Sequence, residues 1–321
     1  MKYLFALISV VAALCLPGTV VAQEPYPSRP IHLIVPFPPG AGGDFLARAL
    51  ANGMATELKQ PVVIENKPGA NGVIGAMETL KRPADGYTLF YGSTTTLSAN
   101  PHLMKNLPYD PGKDFAGITV VADIQFLLVV NASKSINTVA DLVSWAKQSS
   151  HPLRVATSNA SGVIASALLS SVSNVQFLNI PYQSTPTALT DLIGDRVDFI
   201  VVDVGTSLPL IKAGKLRAIG VTTPKRSTLI PNVPTVAETF PGYEYVGWNG
   251  LMAAAKTPIA ILNRLNAEAV KVLHRPEVKD RFAQGGFEVR TNTSPKETTA
   301  FFDADRARWA ELVKLAGLKA E

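Results

Sequence analysis

The stretch Ile31-His32-Leu33-Ile34-Val35-Pro36-Phe37-Pro38-Pro39-Gly40-Ala41-Gly42-Gly43-Asp44 contains a strand, a tight loop and the start of a helix. Residues 31–35 have the length and apolar content of a strand covered on both faces. Proline and glycine then end the strand. From Asp44 onward, Leu46, Leu50, Met54 and Leu58 recur every four residues and form one apolar helical stripe. Asp44 reads as the residue that opens and caps that helix. A strand, a glycine-rich turn and a helix together make the repeating unit of an α/β sheet.

The unit recurs along the chain. Val62-Val63-Ile64 is a second strand, and a glycine-rich turn at 69–75 leads into another helix. Thr88-Leu89-Phe90-Tyr91 is a third strand and ends in Gly92-Ser93-Thr94-Thr95-Thr96. Further strands are expected at 126–130, 154–156, 177–180, 199–202, 218–221 and 243–252. Helices begin near Thr138, Ser161, Pro186 and Thr206, and three more cover 258–273, 276–284 and 295–315. The pattern predicts an α/β protein with mostly parallel sheets covered by helices. It also predicts two lobes, residues 23–122 with 250–321 and residues 123–249, joined where the chain crosses near 122 and 250.

At the amino end, Lys2 precedes an uncharged apolar run over 3–16, Pro17-Gly18 breaks it, and Val20-Val21-Ala22 supplies small residues. That layout is a secretory signal peptide over 1–22, with cleavage expected after Ala22 and an exported, soluble, periplasmic product. Cys15, the only cysteine, falls inside it, so the mature chain is expected to hold no thiol and no disulfide. With 47% hydrophobic and 17% charged residues, the chain should fold compactly. The net charge of +5 is scattered, with Lys81-Arg82 and Lys225-Arg226 as isolated pairs. No basic run is interleaved with aromatics, which excludes a nucleic-acid partner.

Signatures of covalent chemistry are missing. His32, His102, His151 and His274 show no metal-ligand spacing, and Gly-x-Ser-x-Gly is absent. Gly69, Gly72 and Gly75 do not make the dinucleotide fingerprint, and no phosphate-binding P-loop occurs. No catalytic residue, metal or cofactor is therefore expected. What remains is a set of small neutral loops at the carboxyl ends of strands, where open α/β sheets bind ligands and helix amino termini present N–H groups. These are Pro38 to Gly43 with Gly40, Ala41 and Gly42; Ser93, Thr94 and Thr95; and Ser158, Asn159 and Ser161. Each loop alone also fits ordinary turn and capping chemistry.

Taken together, several segments resemble the receptors of tripartite tricarboxylate transporters, the Bug receptors. The matching segments begin with Val35-Pro36-Phe37-Pro38-Pro39-Gly40 followed by Asp44, Ala47 and Arg48, then Val63-Ile64-Glu65-Asn66-Lys67-Pro68-Gly69-Ala70-Asn71-Gly72. Asp85-Gly86-Tyr87-Thr88-Leu89, Leu107-Pro108-Tyr109-Asp110-Pro111 and Pro181-Tyr182 come next. Ala188-Leu189-Thr190-Asp191-Leu192-Ile193-Gly194, Ala213-Gly214-Lys215-Leu216-Arg217-Ala218 and Val233-Pro234-Thr235-Val236-Ala237-Glu238 complete the series. The resemblance implies a two-lobed periplasmic-binding-protein (Venus flytrap) fold with a ligand cleft between the lobes. It implies a small carboxylate held largely by backbone amides and hydroxyls of facing loops, here Phe37 to Gly43 and Ser158 to Ser161. Ser93 to Thr95 and Asp203 match cleft positions, Tyr182 falls in the matched Pro-Tyr pair, and Trp248 is expected either to wall the cleft or to fill the core.

Two departures stand out. Residues 158–165 lack the family's usual histidine, and Pro181-Tyr182-Gln183-Ser184 replaces the usual Tyr-Lys-Gly. The expected partners are a carboxylate ligand and integral-membrane transporter subunits, with the receptor itself a monomer. A ligand sensor feeding a two-component kinase is the alternative reading, and a secreted hydrolase a more remote one.

Overall fold

The computed structural model describes residues 26–291 and 294–320. The expected signal peptide, with Cys15 and the cleavage point at Ala22, lies outside the described residues. Strand β1 (Ile31–Val35) runs into α1 (Gly42–Leu58), followed by β2 (Val62–Asn66), α2 (Val73–Leu80) and β3 (Thr88–Ser93). The long β4 (Phe115–Ile124) gives way to β5 (Phe126–Asn131), and Gln125 alone separates them. Then come α3 (Val139–Gln148), β6 (Arg154–Thr157), α4 (Ala160–Ser173), β7 (Leu178–Pro181), α5 (Thr185–Ile193), β8 (Phe199–Asp203), α6 (Val204–Lys212) and β9 (Leu216–Val221). The chain returns through β10 (Gly247–Ala254) and ends with α7 (Ile259–Leu273), α8 (Pro276–Gln284), β11 (Glu288–Val289) and α9 (Pro295–Leu315).

Two sheets result, one in the order β11-β4-β10-β3-β1-β2 and the other β7-β6-β8-β5-β9. Both are mixed rather than mostly parallel, which corrects the expectation from sequence. β1 is parallel to β2 and β3, and β6 to β7 and β8. β10 is antiparallel to both β3 and β4, and β5 is antiparallel to β8 and β9. The crossings cause the reversal, because β4 leaves the first sheet beside β10, which re-enters it, with Ile124 opposite Gly247. The strand expected from 243 is β10 and begins at Gly247, and Tyr243 and Tyr245 instead bury their rings in the second sheet's core.

Local patterning explains the elements. Ile31, Leu33, Ile34 and Val35 are buried because β1 lies between two neighbours and is covered on both faces. The Leu46, Leu50, Met54 and Leu58 stripe of α1 packs into the first core, each such side chain stabilising by about 1.5–3 kcal/mol. α3 opens on a capping box in which Asp141 N–H donates to Thr138 Oγ1 and Thr138 N–H to Asp141 Oδ2, each at 3.0 Å. α9 bridges the two cores: Phe302 packs beside Trp248 and Met252, and Trp309 and Val313 pack with Phe126 and Leu128.

Asp44 does not cap α1. The helix begins two residues earlier, with Ala41 at the cap position and no side-chain capping bond. Glycines at 42 and 43 let the first turn form where the sequence reads as loop. Asp44 sits in that turn, and its carboxylate reaches back to accept from Gly40 N–H at 2.8 Å.

Candidate ligand-binding site

Between the two sheets lies a cavity of about 260 Å3, walled from one side by the start of α1 and the end of β3, and from the other by the starts of α4, α5 and α6. The first-turn N–H groups of a helix lack intrahelical partners and carry the positive end of its dipole. Four helix amino termini converge here with their positive dipole ends toward the cavity, whose lining holds one carboxylate, Asp203, and no Lys or Arg side chain.

The Phe37 to Gly43 loop is tied down from behind. Asn66 Nδ2 donates to the Phe37 carbonyl at 3.0 Å and to Asp44 Oδ1 at 2.7 Å. Arg48 Nε donates to Asp44 Oδ2 at 2.9 Å, and its Nη2 to Asn66 Oδ1 at 2.9 Å. Burial disfavours the Asp44 charge, yet the hydrogen bonds from Arg48, Asn66 and Gly40 outweigh it and hold this carboxyl below the usual carboxylate range. Phe37, Ala41 and Gly42 line the cavity; Pro38 and Gly40 are exposed and do not. Those two shape the turn, where the Pro38 carbonyl accepts from Ala41 N–H and Gly40 takes the left-handed φ of +83° that glycine allows.

Ser93, Thr94 and Thr95 line the same cavity, at the entry to a short π turn over Thr95–Ala99. The Thr94 hydroxyl is already engaged, accepting from Trp248 N–H at 2.7 Å and donating to the Trp248 carbonyl at 3.3 Å. It therefore ties β10 to the β3 loop while Thr94 stays in the cavity wall. Trp248 also borders the cavity, but its ring stacks on Phe302 at 4.5 Å, and Nε1 donates to Asp305 Oδ2 at 2.7 Å.

On the opposite wall, Asn159 caps α4 by accepting from Gly162 N–H at 2.9 Å, and Ser161 is the second residue of its first turn. Ser158 is not in the lining; its hydroxyl lies 2.8 Å from Thr185 Oγ1, and Thr185 takes its place in the wall. Tyr182 is also outside, its hydroxyl donating to Asp191 Oδ2 at 2.9 Å. Asp203 lines the cavity and caps α6, accepting from both Thr206 N–H and Thr206 Oγ1 at 2.8 Å. Burial pushes its carboxyl up from the ordinary carboxylate range. The sign is opposite to that of Asp44: whatever Asp203 adds to stability is present at low pH and declines as pH rises through its folded value.

Gly43, in the expected Phe37 to Gly43 loop, also lines the cavity, whereas the sequence reading missed Ile124, Phe126, Thr185, Thr206, Gly247, Asn249 and Phe287, all of which line it too. Thr185 and Thr206 sit in the first turns of α5 and α6, so the logic that found the other helix starts also applied to them. Phe287 comes from the remote α8–β11 connection, and no local signal marks it. Among the described residues there is no cluster of three or more His, Cys, Asp or Glu that could hold a metal, and no helix is long and apolar enough to cross a membrane. A larger groove of about 510 Å3 lies between α4, β7 and the end of α9, away from the facing loops.

Residues 46–318 match the family model of the tripartite tricarboxylate transporter family receptor, TctC. The chain belongs to this receptor family. BugT of Bordetella pertussis is 34% identical over 325 residues, covering 99% of both chains. The TctC receptor fold has close counterparts in solved structures. Rpa4515 of R. palustris with adipate superimposes with a TM-score of 0.85 at 32% identity, covering 92% of this chain and all of that one. The periplasmic binding protein BugD gives a TM-score of 0.81 at 31% identity over the same shares. The chain is thus a two-lobed α/β binding protein of the receptor type, as its sequence segments imply.

Proposed function

We propose that the protein is a periplasmic receptor that closes two lobes on a small carboxylate and presents it to integral-membrane transporter subunits, as a monomer and without covalent chemistry. The lobes are those expected from the sequence, residues 23–122 with 250–321 and residues 123–249, hinged where β4 and β10 run side by side. The observation that carries this reading is the convergence of four helix amino termini on a cavity whose lining contains no Lys or Arg. Adipate bound to the similar Rpa4515 supports the same ligand class here. The mixed wall, with Phe37 and Phe126 beside hydroxyls and amides, suits a ligand with a short apolar body and a charged end.

Calorimetry and thermal unfolding of the mature chain with succinate, adipate, suberate and benzoate test this. At least one carboxylate should bind, and at a hundred times its Kd it should add about 2.7 kcal/mol of stability. Binding of amines or sugars with no response to any carboxylate would overturn the assignment.

A further inference from the structure

We infer that Phe287 sets the length and bulk of the ligand the cavity accepts. This rests on the cavity as the ligand site. Phe287 is 5% exposed, lines the cavity, and follows the tight Gly285-Gly286 corner that ends α8. The corner is held by hydrogen bonds from Gly286 N–H to the Ala283 carbonyl at 2.9 Å and from Phe287 N–H to the Phe282 carbonyl at 3.0 Å. Gly286 has a φ of +80° there.

The ring tip rests between two helix starts, one from each lobe. A Cβ built on Gly42 in α1 would lie 2.7 Å from Phe287 Cζ, and one built on Gly205 in α6 would lie 3.2 Å from it. Both positions lack a side chain where the ring needs the space. The corner itself abuts the second lobe, since a Cβ on Gly286 would come within 2.6 Å of Gly205 N. Phe287 is therefore an end wall delivered by the C-terminal segment and fixed only when the lobes are together. It excludes water beside the first turns of α1 and α6, which favours short ligands whose charged end reaches those turns, and it blocks longer ones.

Phe287→Ala and the milder Phe287→Leu test the inference, titrated with succinate, adipate and suberate and with the matching neutral diamides. The ratio of suberate to succinate affinity should rise about tenfold or more in Phe287→Ala, with Phe287→Leu between it and the wild type. A merely structural ring would weaken every ligand alike and leave the ratio unchanged, and that result would overturn the inference. If the diamides bind and the carboxylates do not, the carboxylate assignment fails while the diamide ratio still decides the role of Phe287. If no protein binds any member of either series, the cavity is not a ligand site and both readings fall.

Discussion

Gly205→Val is expected to weaken ligand binding about 100-fold or more while the far-UV circular dichroism stays unchanged. Gly205 lies within α6, where a side chain is compatible with the helix and glycine is the poorer helix former. The conflict arises across the lobe boundary: a Cβ there would sit 2.2 Å from the Gly285 carbonyl oxygen, a backbone atom that cannot rotate away. Separation of the lobes relieves the clash, so the substitution should penalise the closed form and spare each lobe. A penalty of about 2.8 kcal/mol on closure corresponds to the 100-fold loss. Small-angle scattering with saturating ligand should give a larger radius of gyration for the variant than for the wild type. Unchanged affinity and radius would show that contact between Gly205 and the Gly285-Gly286 corner plays no part in closure.

Asp44→Ala acts on the same site from behind the loop. Its carboxylate joins Gly40, Arg48 and Asn66, and hydrogen bonds to a charged group contribute about 1.5–3 kcal/mol each. Arg48 and Gly40 are exposed and can turn to water, which leaves the Asn66 amide as the main uncompensated donor. The expected loss is therefore about 2–3 kcal/mol of stability, with affinity falling about tenfold as the Phe37 to Gly43 loop loosens. The pH dependence follows from the lowered carboxyl. The stabilisation is complete above the unfolded value near 4 and disappears as pH falls through the lower folded value. Urea unfolding at pH 7 should separate wild type from variant, and the gap should narrow near pH 3. A gap that persists undiminished at low pH would mean that the charge of Asp44 does not hold the loop.

What the sequence made legible was mostly what is local. The α1 stripe and the extents of α8 and α9 follow from short-range periodicity and proline at the helix start, and the structure has them where the sequence places them. β4 was not recognised as a strand, and its antiparallel pairing with β10 depends on contacts between residues more than a hundred positions apart. The starts of α1 and α4 could be read to within two residues from their turn residues, but whether a hydroxyl beside them is free could not. Thr94 spends its hydroxyl on the backbone of Trp248 and Ser158 approaches Thr185, both partners remote in sequence. Tyr182 turns to Asp191 because the strand before it ends at Pro181, at the sheet edge. Phe287 was illegible for the same reason, since only the folded path of the C-terminal segment brings it between Gly42 and Gly205.

The central claim is that an anion is held between the lobes by helix amino termini rather than by a basic side chain. A crystal structure of the mature protein with a bound dicarboxylate tests it most directly. The account predicts carboxylate oxygens within about 3 Å of first-turn N–H groups of α1 or α4, or one water away from them, with Phe287 closing the site. A ligand carboxylate paired with a Lys or Arg side chain, or a ligand seated in the groove between α4 and the end of α9, would contradict it.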